Sequence, residues 1–410
     1  DWDFVNSYVS ATSFTNATGA DAATWDVTFD KSVLDAKNYI KNGKNVTYNF
    51  TNNSRGTTGS LRIDGVLNID ATSSVVTTSQ QNNKVGAVDE HGGINGTVNV
   101  AGNLTIGSNA KTQLEVLGGT VNVVEGATLA LGNNTLTLDA ASALQSAGNI
   151  SGAITAANGA NVAITGGTYT QDVSNWCADG FMTQQNADGS FGIAKAAAKV
   201  GDKKYASLDE AVQAAKVGDK ITLLDNADLA FAHNPQYNNV YASEIDLNGK
   251  TMTIKKGDVR FDNVTIKNGN IVVPPGTYNG TAIFLMYSKN LTFDDVKVTA
   301  TGVASTYLIG LEGTSNLNLL NGSEIVINNE SLVNIGSIIA DNGNGNTVTI
   351  KDSKIGITNS NARLYLGGTN GNITVENSDI DLNGVKEGFY LRAGQTLAIT
   401  GTSTVDITLN

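Results

Sequence analysis

The chain has one cysteine, three prolines and two histidines in 410 residues. A lone cysteine excludes an intrachain disulfide framework and by itself assigns no redox compartment. Three prolines exclude a proline-rich stalk, and 45 glycines without a Gly-X-Y period exclude collagen. Lys, Glu and Leu are too sparse for a helix bundle or coiled coil. Charged residues are only 16% of the chain, against a usual quarter or so. Their balance is acidic, with 26 Lys and Arg, 38 Asp and Glu, and a net charge of −12. Nucleic acid is therefore excluded as an expected partner, because phosphate binding needs clustered cations. No run approaches the roughly 18 apolar residues of a membrane helix; the best is Ala282–Tyr287. The chain opens at Asp1 without an apolar leader, as a mature form or a piece of something longer would.

What is present is short alternating strands punctuated by Gly, Asn or Asp. Residues 61–69 read LRIDGVLNI, 97–106 read TVNVAGNLTI, and TVNV, TLAL and TLTL begin at 120, 128 and 135. The second half repeats the idea in Val264-Thr265-Ile266, Leu291-Thr292-Phe293, Val348-Thr349-Ile350 and Ile373-Thr374-Val375. Strict alternation marks half-buried strands, and many of them at even spacing mark a solenoid. Stacked coils lie about 4.8 Å apart, so inward side chains form apolar columns. Corners fall to Gly and Asn, which tolerate left-handed backbone.

The pattern breaks near residue 200. Residues 199–224 read KVGDKKYASLDEAVQAAKVGDKITLL. Ser207 and Glu210 form a capping box, and Leu208, Ala211, Val212 and Ala215 share a helical stripe. Gly218 suits the residue after the helix. Residues 32–48, SVLDAKNYIKNGKNVTY, align without gaps on 207–223, Ser32 on Ser207 and Asp35 on Glu210. Two modules follow, each opening with a helix, near 32–42 and near 207–217. Such a helix would cover an open coil end, where apolar columns and unpaired backbone groups meet water.

The stretch at 201–224, with DLNGKTMTI at 246–254, resembles the start of a right-handed β-helix of the pectin-lyase-like kind. Residues 164–193, ITGGTYTQDVSNWCADGFMTQQNADGSFGI, resemble a segment of surface proteins of anaerobic bacteria that closes one β-helical module before the next. Residues 119–138 are similar to autotransporter passenger coils. The resemblance implies an all-β fold of two right-handed parallel β-helix modules, 1–195 and 196–410, with a closing segment at 166–193. It also implies secretion and cell-surface display. Within the closing segment, Asp172 suits the cap of a short helix through Cys177, and Asp188-Gly189 a hairpin turn.

Pectin-lyase-like folds host glycosidases and lyases, so catalysis must be weighed. A glycosidase needs two carboxylates across the scissile bond. The one Asp-Asp pair, Asp294-Asp295, sits between two strands and reads as a polar turn. The Gly-His-Gly and Arg-x-Lys elements of polygalacturonase-like enzymes are missing, and Arg260, Arg363 and Arg392 stand in separate segments. His91 and His233 lack metal-ligand spacing. Cys177 beside Trp176 reads as a small buried hydrophobe rather than a nucleophile. Asp379 and Asp381, read as acidic turns, suit calcium, but the Gly-Gly-x-Gly-x-Asp repeat of calcium-loaded rolls is absent.

All three prolines, Pro235, Pro274 and Pro275, fall between residues 231 and 288. Near them stand Phe231, His233, Tyr237, Tyr241, Tyr278 and Tyr287. Aromatic loops on a rigid scaffold form a candidate ligand surface for glycan or protein. The competing reading is that these rings cover the flank of the second module.

The last residues, 403–410, alternate with Val405, Ile407 and Leu409 on one face. This coil end is expected to be covered in the functional state, by a further domain or a neighbouring subunit. Trp2, Phe4, Tyr8, Phe14 and Trp25 read either as a local cover for the first coil or as a docking surface for such a neighbour. The expected function is a non-enzymatic bacterial cell-surface or extracellular protein, a rigid adhesin or structural body. The alternatives are a head-to-tail filament or surface-layer subunit, and a glycan-binding or glycan-cleaving β-helix. No cofactor or metal is expected. The expected partners are further copies end to end, or a host or microbial glycan or protein receptor.

Overall fold

In a computed structural model the described residues are all but 17–23, 79–82, 87–95, 108–112, 231–238, 258, 279–281, 288, 329–334, 342, 361–363, 367–369, 386 and 410. Strand makes up 63% of the chain and helix 3%, in a β-solenoid of about 14 turns. The chain divides into two compact units, Asp1–Lys195 and Ala196–Asn410.

In the first unit the coils contribute successive strands to an 8-stranded parallel sheet, from Trp2–Val5 through Trp25–Asp30 and Val46–Thr51 to Asn161–Ile164. The register keeps side-chain parity from coil to coil. Phe4 pairs with Phe29, Phe29 with Phe50, Phe50 with Ile69, and Ile69 with Val100. The rings of Phe4, Phe29 and Phe50 stack at 5.1 and 4.8 Å between centroids, the coil spacing itself.

The helix expected near 32–42 is not there: Val33–Asn42 is a strand. It pairs in parallel with Tyr8–Ala11 and Phe14–Asn16 on one side and Arg55–Ile63 on the other. Leu34, Ala36, Ile40 and Asn42 point inward and are buried. Ser32 Oγ does not cap; it accepts from the Ser7 N–H and donates to the Phe4 and Asp30 carbonyls. Val33-Leu34-Asp35-Ala36 fits a period of two as well as a helical one. Two waiting strand edges decide the matter, since an unpaired edge inside a stack would be costly.

The stack of the first unit ends in antiparallel pairing. Phe181–Gln185 and Phe191–Lys195 form a hairpin whose second strand also lies antiparallel to Thr168–Tyr169. Asp188-Gly189 makes its turn, with Gly189 at φ +85° and Asp188 Oδ1 accepting from the Ser190 N–H and hydroxyl. The short helix is a single 3-10 turn, Ser174–Trp176, with Val173 at the N-cap. Asp172 Oδ1 accepts from the Ser174 N–H at 2.9 Å instead.

The second unit opens with two short strands, Ala198–Val200 and Lys203–Tyr205, and a helix, Leu208–Ala214, follows them; the Ser207 side chain accepts from the Glu210 N–H at 3.2 Å. Its buried face, Leu208, Ala211 and Val212, joins the unit's core with Ala198, Ile221 and Leu223. Ala198–Val200 is antiparallel to Lys220–Leu223, after which every coil stacks in parallel. One inward column runs Ile221, Ile245, Ile266, Phe293, Leu319, Ile350, Val375, Ile399. All but the last are at most 1% exposed; Ile399 is 47% exposed.

Corner carboxylates of the first unit carry a pH dependence. Burial raises the pKa of Asp70, yet hydrogen bonds from Ser73, the Asn52 N–H and Thr72 outweigh it and hold the group below the ordinary carboxylate value. Asp139 behaves alike, burial being outweighed by Ser142 and the Gly118 and Ala141 N–H groups. A depressed folded-state pKa contributes stability that is present above about pH 4 and lost as pH falls through the folded value. The Asp70→Asn, Asp139→Asn double variant is expected to be less stable at pH 7 and to lose less on acidification. Urea midpoints at pH 7 and pH 3 check this, and an unchanged acid slope would refute it.

Candidate functional site

Of the six aromatic-loop residues, Phe231, His233 and Tyr237 lie outside the described residues, as does His91. Tyr278 is turned inward. Its hydroxyl donates towards the Pro274 and Ile254 carbonyls (3.0 and 3.2 Å), its ring packs on the core, and burial raises its phenol pKa. Tyr241 and Tyr287 are exposed. They follow or end the strands Asn239–Val240 and Ala282–Tyr287, with Val259–Phe261 between them in the sheet. The Asp262–Lys289 ion pair (2.9 Å) lies at the same strand ends. The described part of the surface is thus two phenols and one ion pair.

Asp294 and Asp295 lie inside one strand, Asn290–Thr301, rather than between two. Asp295 adopts φ +56°, so a single left-handed residue turns the strand while coil-to-coil pairing continues on both sides. Asp294 Oδ1 accepts from Asn321 Nδ2 at 2.7 Å. Asp295 has no hydrogen-bond partner among the described residues. It lines an open groove of about 490 Å³ with Asn268, Asn270, Lys297, Glu324 and the Cβ-less Gly249, Gly269 and Gly322. Lys297 Nζ and Glu324 Oε2 pair at 2.7 Å. The groove offers one unpartnered carboxylate, one ion pair and two amides, which suit hydrogen bonding to a polar ligand.

Asp379 and Asp381 also lie in a strand, Asp379–Val385, and Asp379 accepts from the Thr404 hydroxyl at 2.5 Å. Cys177 is half-buried; its thiol lies 3.6 Å from the Val173 carbonyl, to which it donates. Among the described residues no group of three His, Cys, Asp or Glu could hold a metal, and no helix is long and apolar enough to cross a membrane.

The features that the sequence reading missed are ladders running along the stacks. At one corner of the first unit the Ser7 N–H donates to Ser32 Oγ, Ser32 N–H to Ser54 Oγ and Ser54 N–H to Ser73 Oγ, at 2.9 to 3.0 Å. In the second unit Ser353 and Ser378 donate likewise to Ser378 and Ser403, at 3.0 and 3.2 Å. The five serines that donate, Ser7, Ser32, Ser54, Ser353 and Ser378, each follow a corner residue with positive φ: Asn6, Lys31, Asn53, Asp352 and Asn377. That dipeptide, recurring before a strand, is the signal that would have found them. On the outer sheet face, Asn68, Asn99 and Asn122 each donate Nδ2 to the Oδ1 of the asparagine one coil before, starting at Asn49, at 2.7 to 2.8 Å. The second unit carries a sister ladder through Asn263, Asn290, Asn316 and Thr347.

No protein-family model matches the chain, and no curated protein does.

Proposed function

We propose that the chain is a rigid, non-enzymatic body of a bacterial cell-surface or extracellular protein, an adhesin or structural element of the right-handed, pectin-lyase-like β-helix kind. The observation that carries this reading is the pair of ladder systems. Outward amides and corner hydroxyls, which in an enzyme would face a substrate, are bonded along each stack and hold coil to coil. Such ladders stiffen parallel in-register stacks. An acidic surface poor in cations fits display in solution. The helix Leu208–Ala214 serves in this reading as the cap of the second unit. Immunogold electron microscopy of native cells is expected to place the chain at the surface. Label confined to the cell interior would overturn the reading.

A second reading is end-to-end assembly, in which the coil that carries the exposed Ile399, Ile407 and Leu409 would meet the first coil of another copy. At the first coil Phe4 and Phe14 pack inward on Phe29 and Tyr48, whereas Trp2 and Tyr8 are exposed. Stacking Ser7 of one copy on Ser403 of another would continue the serine ladder. It would also set Trp2, Phe4, Val9 and Ala11 over Leu397, Ile399, Val405 and Ile407, inward on inward throughout. Ile407→Lys is expected to abolish any concentration-dependent assembly seen by analytical ultracentrifugation. Assembly that survives it would refute this geometry.

The third reading, glycan binding or cleavage, draws on Asp295 and Glu324 lining one groove. Under the leading reading the chain leaves pectin, alginate and host glycans intact. Turnover abolished by Asp295→Asn would replace that reading with the third.

A further inference from the structure

We infer that the first unit binds a linear acidic polysaccharide, with an anionic group on each sugar, along a row of stacked cations formed by Lys41, Arg62 and Lys84. The inference deepens the adhesin reading, on which it rests for a glycan as the bearer of those anions.

Lys41 pairs with Arg62 across one coil step, and Arg62 with Lys84 across the next. Their neighbours along the strands, Ile40 and Asn42, Leu61 and Ile63, Asn83 and Val85, are buried. By the period of two, all three cations therefore point outward. Arg62 is exposed, and Lys41 and Lys84 are half-buried. Thr15 precedes the row, and Glu115, Thr137 and Thr155 follow it. The one ion pair of the first unit among the described residues is Lys84 Nζ with Glu115 Oε2, at 3.5 Å. Lys41 and Arg62 thus have no counter-ion there, and Asp64, next after the strand of Arg62, supplies none.

The second unit treats such positions differently. Lys220 faces Glu244 across a coil step, Lys297 faces Glu324 and Lys351 faces Glu376, pairing at 2.9, 2.7 and 2.8 Å. Opposite charges directly across a sheet stabilise it, and like charges destabilise it. Three cations in one row forgo that stabilisation, in a chain whose net charge is −12. An anion laid over the row would offset their repulsion.

The row also sets the shape of the ligand. Its charges repeat at the coil step, about 4.8 Å, along the stack. A glycan with an anion on each ring repeats its charges at a similar step, and long Lys and Arg stems reach either edge of such a chain. The Arg62 guanidinium suits a carboxylate or a sulfate by paired hydrogen bonds. Hydroxyls of Thr15, Thr137 and Thr155 flank the cations, where sugar hydroxyls would continue. Duplex DNA, with a charge every 1.7 Å or so, would be repelled by the acidic remainder of the chain. A single strand binds through aromatic side chains that stack on its bases, and the row has none.

Calorimetric titration of the full chain with a chondroitin sulfate oligosaccharide, against hyaluronan and dextran oligosaccharides of equal length, tests the inference. The first bears a carboxylate or sulfate on each sugar, the second a carboxylate on every other sugar, the third no charge. Chondroitin sulfate is expected to bind at least tenfold more tightly than hyaluronan, and dextran not at all. Arg62→Gln and the Lys41→Gln, Lys84→Gln double variant are each expected to weaken binding at least tenfold. Glu115→Gln is expected to tighten it, and Lys297→Gln, in the second unit, to leave it unchanged. Added salt is expected to weaken binding, less steeply in the double variant. Urea midpoints of the cation variants are expected to stay level or rise, because each removes a repulsion. No binding at millimolar chondroitin sulfate, equal binding of hyaluronan or dextran, or unchanged binding by both cation variants would overturn the site. Tighter binding of a single-stranded oligonucleotide of equal charge would overturn the assignment to a glycan. A negative titration leaves the surface-display result untouched, so the two readings fail separately.

Discussion

Replacing Phe29 with alanine is expected to destabilise the first unit by about 3–5 kcal/mol, the usual cost of truncating a fully buried aromatic. Phe29 is completely buried, stacked between Phe4 and Phe50, with Phe14 edge-on at 5.5 Å. Its removal takes away more than transfer energy. The hole lies in a column whose neighbours are fixed at the coil spacing by backbone ladders on either side, so the walls cannot collapse into it. Stability in a solenoid is close to a sum of nearest-neighbour terms, and here the terms to both neighbouring coils fall together. Denaturant unfolding followed by hydrogen exchange is expected to show early loss of protection in Trp2–Val5 and Val46–Thr51. A change under about 1 kcal/mol would mean that the column is looser than its ring stacking indicates.

Deleting residues 203–218 is expected to make the second unit aggregate. The segment holds the helix Leu208–Ala214, whose apolar face is shared with Ile221 and Leu223 at the start of that unit's core. Without it those columns would meet water, and the edge of Ala198–Val200 paired with Lys203–Tyr205 would be bare. Ser207→Ala, by contrast, removes one capping bond and is expected to cost only about 0.5–2 kcal/mol. Light scattering on the two variants separates the roles. A deletion variant that stays monomeric with an unchanged unfolding midpoint would show that the helix covers nothing that matters.

Stacked solenoid coils were legible in local patterning. TVNV at 97 and at 120 pair residue for residue, as their shared alternation implies. A break in the pattern near residue 200 was visible as a change of period from two to a helical stripe, and the helix Leu208–Ala214 lies just after it. Much less of the candidate site could be read. Tyr278 is a surface aromatic by sequence, but the carbonyls that take its hydroxyl come from Pro274 and from Ile254, 24 residues before the tyrosine. Asp294 and Asp295 look like a turn because turns and left-handed corners within a strand favour the same residues.

By itself the sequence determined the class of fold: short strands with inward apolar positions, Gly and Asn corners, and no cysteine framework or membrane helix to compete. Those are local consequences of side-chain parity and backbone freedom, and they need no partner. Tertiary structure alone decided between helix and strand at Val33–Asn42 and at Leu208–Ala214. Both segments carry Ser with an acidic residue three positions on. The first had strand edges waiting on both sides, whereas the second lies among antiparallel strands, before parallel stacking begins. The ladders, too, exist only once coils 19 to 31 residues apart come into register. An asparagine amide or a serine hydroxyl is an ordinary polar group until stacking sets its counterpart within about 3 Å, and no local pattern encodes that distance.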